Sequence, residues 1–197
     1  MNFLAHLHLS GESEEISVGN FIADFVKGNQ IRAYEKNIQN GILIHREIDR
    51  FTDSHPIVKR SKDRLRRDYR HYVGVIVDVY YDHFLSKNWS QFHPLSLKEF
   101  TVLQYVNLSK YQSIFPERAK STLYHMSQTD WLYHYQFVEG IDRALKGLAK
   151  RTSFESGMEF ASHNLIDHYN EFEEEFFSFF PLLEGHIENY TYELIAE

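Results

Sequence analysis

The 197-residue chain carries 43% hydrophobic and 25% charged residues, an ordinary globular balance, and is long enough to bury a core without staples. It has no cysteine, which excludes disulfides, thiolate catalysis and cysteine-based zinc sites and is compatible with a reducing, cytoplasmic setting. A formal net charge of −7 speaks against a general nucleic-acid binder, and no apolar run approaches the roughly 20 residues that span a bilayer.

The N-terminal stretch MNFLAHLHLSG has no basic leader, and His6 and His8 interrupt its apolar run, so it is expected to belong to the mature fold. Apolar residues recur at helical spacing from there on. Helices are predicted near 2–9, 13–27, 31–53, 56–67, 69–86, 96–109, 116–127, 130–149, 154–166 and 168–190. Gly28, after FIADFVK, reads as a helix stop, and Asn40-Gly41 as a candidate split of the third helix. Pro56 and Pro116 suit a first helical turn, where no amide donor is needed. In the fifth helix Tyr69, Val73, Ile76, Val77, Tyr80 and Phe84 make one apolar face. Lys87 to Pro94 reads as an exposed connection. Ser96 with Glu99 and Thr152 with Glu155 read as capping boxes, and Pro181 as a break or kink in the last helix. No strand alternation, repeat or low-complexity linker appears, so the expectation is a single all-α domain over residues 1–197.

Twelve histidines are the unusual feature, and their placement points to chemistry. In HREID, His45 and Asp49 lie four residues apart and share a helix face, with Asp53 one turn on. In DVYYDH, Asp78 and Asp82 are also four apart, His83 adjoins them, and His71 lies further up the same face. Asp24 ends an otherwise apolar helix, and His6 and His8 sit in a segment too short to be stable without packing. A lone His/Asp pair on a helix is usually a surface pair. Several such pairs inside apolar helices are different, because ionised aspartates there are costly unless paired or bound to a metal. Mixed imidazole and carboxylate donors suit Mn, Fe, Zn or Mg. Such an ion acidifies a bound water and stabilises charge on a phosphoryl oxygen.

The strings NFLAHLHLS, GNFIADFVKG, GILIHREIDRFTDSHP and GVIVDVYYDHFL resemble the bacterial acyl carrier protein phosphodiesterases. The likeness runs over essentially the whole chain, is densest in the first 85 residues and thins later to pieces such as GIDRALKGLAKR. It implies hydrolysis of the phosphodiester that joins 4′-phosphopantetheine to a serine of holo-acyl carrier protein. It also implies a helical bundle related to the HD-type metal phosphohydrolases, run with manganese, Mg2+ or Fe2+ being the other candidates. The chain departs from the HD pattern in having no His-Asp dipeptide, since Asp82-His83 is the reverse order. On this resemblance Asp24, His45, Asp49, Asp78 and Asp82 are the expected ligands. His6 and His83 come next, as proton donors or further ligands.

The segment VKRSKDRLRRDYR sets seven basic residues against two acidic ones, a net +5 in a chain whose total is −7. As a helix it lines up Arg60, Arg64 and Arg67 with His71, beside a second line of Lys59, Lys62, Arg66 and Arg70. A charge run is usually a solvated face, and an RNA contact is a second reading. Beside the ligand segments it is instead expected to dock an acidic carrier protein. The aromatics of FEEEFFSFF (Phe172, Phe176, Phe179, Phe180) and Trp131, Tyr133 and Tyr135 read as packing. No Gly-rich phosphate loop or Gly-x-Ser-x-Gly elbow is present. The rival readings are a metal phosphohydrolase of nucleotides or small phosphate esters, and a non-catalytic helical adaptor for an acidic protein. Oligomeric state is not legible.

Overall fold

The computed structural model describes residues 1–196, which form helices joined by short turns, with no strand among them. In chain order the helices are α1 (Phe3–His8), α2 (Glu14–Ile22), α3 (Lys36–Ser54), α4 (Pro56–Tyr69), α5 (Val73–Lys87) and α6 (Leu97–Lys110). They continue with α7 (Glu117–Thr129), α8 (Trp131–His134), α9 (Val138–Ala149), α10 (Ala161–Asp167) and α11 (Tyr169–Ala196). Their buried apolar side chains form one cluster. None of the helices is long and apolar enough to cross a membrane.

The centre of that cluster is α5, buried on nearly all sides, with α1, α4, α9 and α11 packed around it. Tyr80, Tyr81 and Phe84 of α5 meet the fully buried Phe172, Phe176 and Phe179 of α11 ring to ring. The C-terminal phenylalanines are therefore packing residues. Pro181 does not end α11, which runs on to Ala196.

Local signals place several boundaries. Pro56 opens α4 with His55 as its cap, and Ser96 and Glu99 form a reciprocal capping box at α6. Other boundaries differ from the expectation. The second helix ends at Ile22, a 3₁₀ turn carries the chain through Ala23–Phe25, and Gly28 sits beyond it with a positive φ of 51°. The third begins only at Lys36. The stretch 130–149 splits into α8 and α9. Thr152 turns its hydroxyl to the carbonyls of Ala149 and Phe154, so no capping box forms there.

Gly41 does not split α3; it is where α2 and α3 touch. A Cβ on Gly41 would stand 2.2 Å from the Ile16 carbonyl oxygen, and one on Gly19 would stand 2.0 Å from that of Ile38. Two glycines thus let two backbones meet with no side chain between them, and this contact positions the site.

The short α1 is held from outside. Its N-terminal amides have no cap of their own, and the carboxylate of Asp82 on α5 accepts from the amides of Asn2 (3.1 Å), Leu4 (2.8 Å) and Ala5 (3.3 Å). A buried carboxylate at a helix N-terminus satisfies orphan donors and complements the helix dipole.

Candidate metal centre

The site forms where α1, the end of α2 and the middle of α3 converge. His6 comes from α1, Asn20 from α2, Asp24 from the 3₁₀ turn after it, and His45 and Asp49 from successive turns of α3. The rings of His6 and His45 stack with centroids 4.0 Å apart. Asp49 spans both, one oxygen 3.3 Å from His6 Nε2 and the other 3.2 Å from His45 Nε2. Asp24 approaches His45 Nε2 at 3.3 Å.

Asn20 fixes the rings. Its side-chain nitrogen donates to the His6 carbonyl (2.8 Å) and to Ser10 Oγ (3.0 Å), which settles which end of the amide is oxygen. That oxygen lies 2.9 Å from His6 Nδ1 and 3.1 Å from His45 Nδ1. An amide oxygen only accepts, so both rings carry a proton on Nδ1 and turn Nε2 toward the carboxylates.

The electrostatics of the cluster couple its carboxylates to its imidazoles. Burial alone would lower His45, yet hydrogen bonds to Asp24 and Asp49 hold it up to about 9. Burial, with His45 alongside, lowers His6 to about 4. Asp49 lies below the usual carboxylate range: burial opposes this, but hydrogen bonds from His45 and His6 outweigh it. One ligand atom each of His6, His45 and Asp49 lie within 4.8 Å of one another. Asp49 stands 3.3 Å from His6 Nε2 and 3.2 Å from His45 Nε2, near enough for these donors to share one small divalent ion. The donors fit such an ion. Their oxygen and imidazole chemistry is that of Mn, Fe, Zn or Mg.

The other expected residues are placed differently. Asp78 lines the same cavity, but its carboxylate is paired with the amino group of Met1 at 2.8 Å. Asp82 is committed to capping α1. Burial pushes its carboxyl up to about 7, against the pull of the Met1 amino group and those amides. His83 faces away from the cluster, with Nδ1 2.7 Å from the Tyr135 carbonyl and Nε2 2.8 Å from the Tyr169 hydroxyl. The structure therefore gathers His6, Asp24, His45 and Asp49, and leaves Asp82 and His83 to hold helices together.

A cavity of about 440 Å³ opens over the cluster. Thr52, one turn beyond Asp49, lines it, and its buried hydroxyl has no hydrogen-bond partner among the described residues. Arg118 and Arg151 line it as well, both exposed. Cationic groups beside a metal centre suit a substrate that carries negative charge. Sequence reasoning missed Asn20, Thr52, Arg118 and Arg151. Asn20 had a signal, since it precedes Asp24 by four residues on an apolar helix and so belongs to the same stripe.

On the basic helix α4, Arg60, Arg66 and Arg67 are exposed, Arg66 in an ion pair with Asp63, and so is Arg70 just past its end. Arg64 is different: it forms a two-point ion pair with Glu175 of α11 at 2.8 and 3.0 Å and lies over the Phe172 ring. Glu175 is only 8% exposed. Arg64→Ala would leave that carboxylate without its charged partner, bonded to the Ser61 hydroxyl, and is expected to destabilise the fold by about 1–3 kcal/mol, measured by urea denaturation. A midpoint unchanged from the parent would contradict this. Lys62 of the same helix pairs with Asp53 at 2.6 Å, and Asp53 lines the cavity, so α4 borders the site.

The family model for acyl carrier protein phosphodiesterase matches residues 1–183. An acyl carrier protein phosphodiesterase of Enterobacter sp. (strain 638) is 35% identical to the chain over 182 residues, 92% of this chain and 94% of that protein. One of Yersinia enterocolitica is 34% identical over 184 residues, 93% and 95% of the two chains. One of Photorhabdus laumondii is 33% identical over 190 residues, 96% of each. No solved structure matches the chain.

Proposed function

The chain belongs to the acyl carrier protein phosphodiesterase family, and on that premise we propose that it hydrolyses holo-acyl carrier protein, with His6, His45 and Asp49 holding a divalent ion. The observation that carries this reading is the pair of Nε2 atoms that Asn20 turns toward Asp49. Asp24 completes the donor set or handles protons beside it. In the reaction water adds to phosphorus, the bond to the carrier's serine oxygen breaks, and that oxygen takes a proton. The ion, expected to be manganese, supplies Lewis acidity and charge neutralisation when bound.

The chain's own residues do the remainder. Asn20 keeps both imidazoles in one tautomer and one plane of approach, the outer-shell role on which metal affinity depends. Arg118 and Arg151 offer guanidinium groups to phosphoryl oxygens. The exposed arginines of α4 face an acidic protein partner while the scissile phosphodiester enters the cavity beside them.

The direct test incubates metal-stripped protein with holo-acyl carrier protein, with and without Mn2+, and weighs the carrier by intact mass spectrometry. Loss of the phosphopantetheine mass only with metal is the expected result. No loss with a folded protein and several metals tried would move the reading to small phosphate esters. Asn20→Ala is expected to weaken metal binding by about 10–100-fold in calorimetry; an unchanged affinity would remove Asn20 from the site. Arg67→Glu with Arg70→Glu is expected to lower kcat/KM for the carrier by about tenfold at low salt, with the gap closing at high salt as surface fields are screened. Equal values at low salt would dismiss α4 as the docking face.

A further inference from the structure

Beside the metal centre lies a second hollow of about 510 Å³. Its walls come from α8, α9 and the start of the chain, among them Phe3, Trp131, Tyr135, Ala144, Gly147 and Leu148. Asn2, Phe3, Leu148 and Arg151 line this hollow and the metal-centre cavity alike, so the two are neighbours across a shared wall. Trp131 and Tyr135, expected from sequence to be packing residues, both contribute surface here. Arg151 stands at the junction, with its guanidinium 5.8 Å from the Trp131 ring centroid.

We propose that this hollow is the subsite for the pantetheine arm of the substrate, an inference that rests on the phosphodiesterase reading above. A phosphodiester held at the metal centre has two substituents. One is the serine of a folded protein, which is too bulky for a cavity and stays outside. The other is a slim chain of methylenes, a dimethyl-substituted carbon, two amides and a thiol, and it has to leave phosphorus in another direction. The adjoining hollow offers such a chain what it requires. Its volume falls in the ~300–1,000 Å³ range of small-molecule sites, mostly apolar with few polar groups. Phe3, Trp131, Ala144 and Leu148 suit the alkyl segments. Arg151 is placed to bridge the phosphoryl group and the first polar atoms of the arm.

Gly147 makes the idea testable. A Cβ built there meets no atom within 4 Å, and Gly147 has no positive φ, so a larger side chain would occupy the hollow without straining α9. The measurement is calorimetric binding of 4′-phosphopantetheine and of inorganic phosphate to the Mn2+-loaded protein. The wild type is expected to bind phosphopantetheine at least tenfold more tightly than phosphate. Gly147→Leu is expected to lose that excess while its phosphate affinity stays within twofold. In parallel, kcat/KM for holo-carrier protein should fall 30-fold or more. Trp131→Ala, which empties the wall instead of filling it, should reduce the same excess. Equal phosphopantetheine affinity in the wild type and Gly147→Leu overturns the proposal. Failure of the wild type to release phosphopantetheine from the carrier sinks the phosphodiesterase reading instead, so the two failures are distinct.

Discussion

Asp49→Asn is expected to reduce turnover of holo-acyl carrier protein by about 1,000-fold, roughly 4 kcal/mol of transition-state stabilisation. Asp49 reaches both imidazoles from the side opposite Asn20, with an oxygen on each Nε2. Asparagine keeps its size but removes the charge and leaves an amide nitrogen facing one of the rings. A cation at the centre loses its only carboxylate common to both histidines. The side chain is 43% exposed, so the apolar core does not depend on it. Intact-mass assays of the carrier and metal content after dialysis read the two consequences separately. Turnover within tenfold of the parent would show that the cluster is not where the chemistry happens. Retained metal with lost turnover would place Asp49 in the reaction and not in ion binding.

Gly41→Ala is expected to cost at least about 3 kcal/mol of stability, above the usual 1–3 kcal/mol of overpacking, because the obstruction is backbone on both sides. The new methyl would lie 2.2 Å from the Ile16 oxygen and 2.9 Å from the Asn20 nitrogen. Alanine's better helix propensity returns only about 1 kcal/mol. If the variant folds, α2 and α3 must separate, and Asn20 and Asp24 are drawn away from His45. Urea denaturation should therefore show a lower midpoint, and the surviving fold should bind metal more weakly. A loss below about 1 kcal/mol would mean that the helices can yield without disturbing anything.

What was legible in the sequence was local. The caps at Pro56 and at Ser96 with Glu99 involve neighbours a few residues apart, and they stand where expected. The four-residue spacing of His45 and Asp49 likewise put them on one face of one helix, and His6 and Asp24, candidates on the family resemblance, stand beside that pair. The same spacing at Asp78 and Asp82 did not show which groups they contact. Their partners are the Met1 amino group and the amides of α1, 77 to 80 residues away, and no local pattern distinguishes a ligand from a distant cap. Gly41 was ambiguous for a similar reason: a helix breaker and a point of backbone contact are the same letter. The split of the predicted 130–149 helix has its signal in Gly140, where a Cβ would stand 1.9 Å from the His134 carbonyl oxygen. Only the folded chain shows that the two turns press together there.

The way α1 is fastened has a consequence for the order in which the protein assembles. Asn20, Asp24, His45 and Asp49 all lie between residues 14 and 54, on two helices and the turn after the first, with Asn20 and His45 25 residues apart. Contacts so close in sequence close small loops, and such units form early. His6 belongs to a six-residue helix whose amides wait for Asp82, a residue 78 positions further on from Leu4. On a ribosome, four members of the cluster can find one another while the carboxylate that seats the fifth is still unmade. The seat of the first helix, which presents His6, is thus completed only when Asp82 is in place.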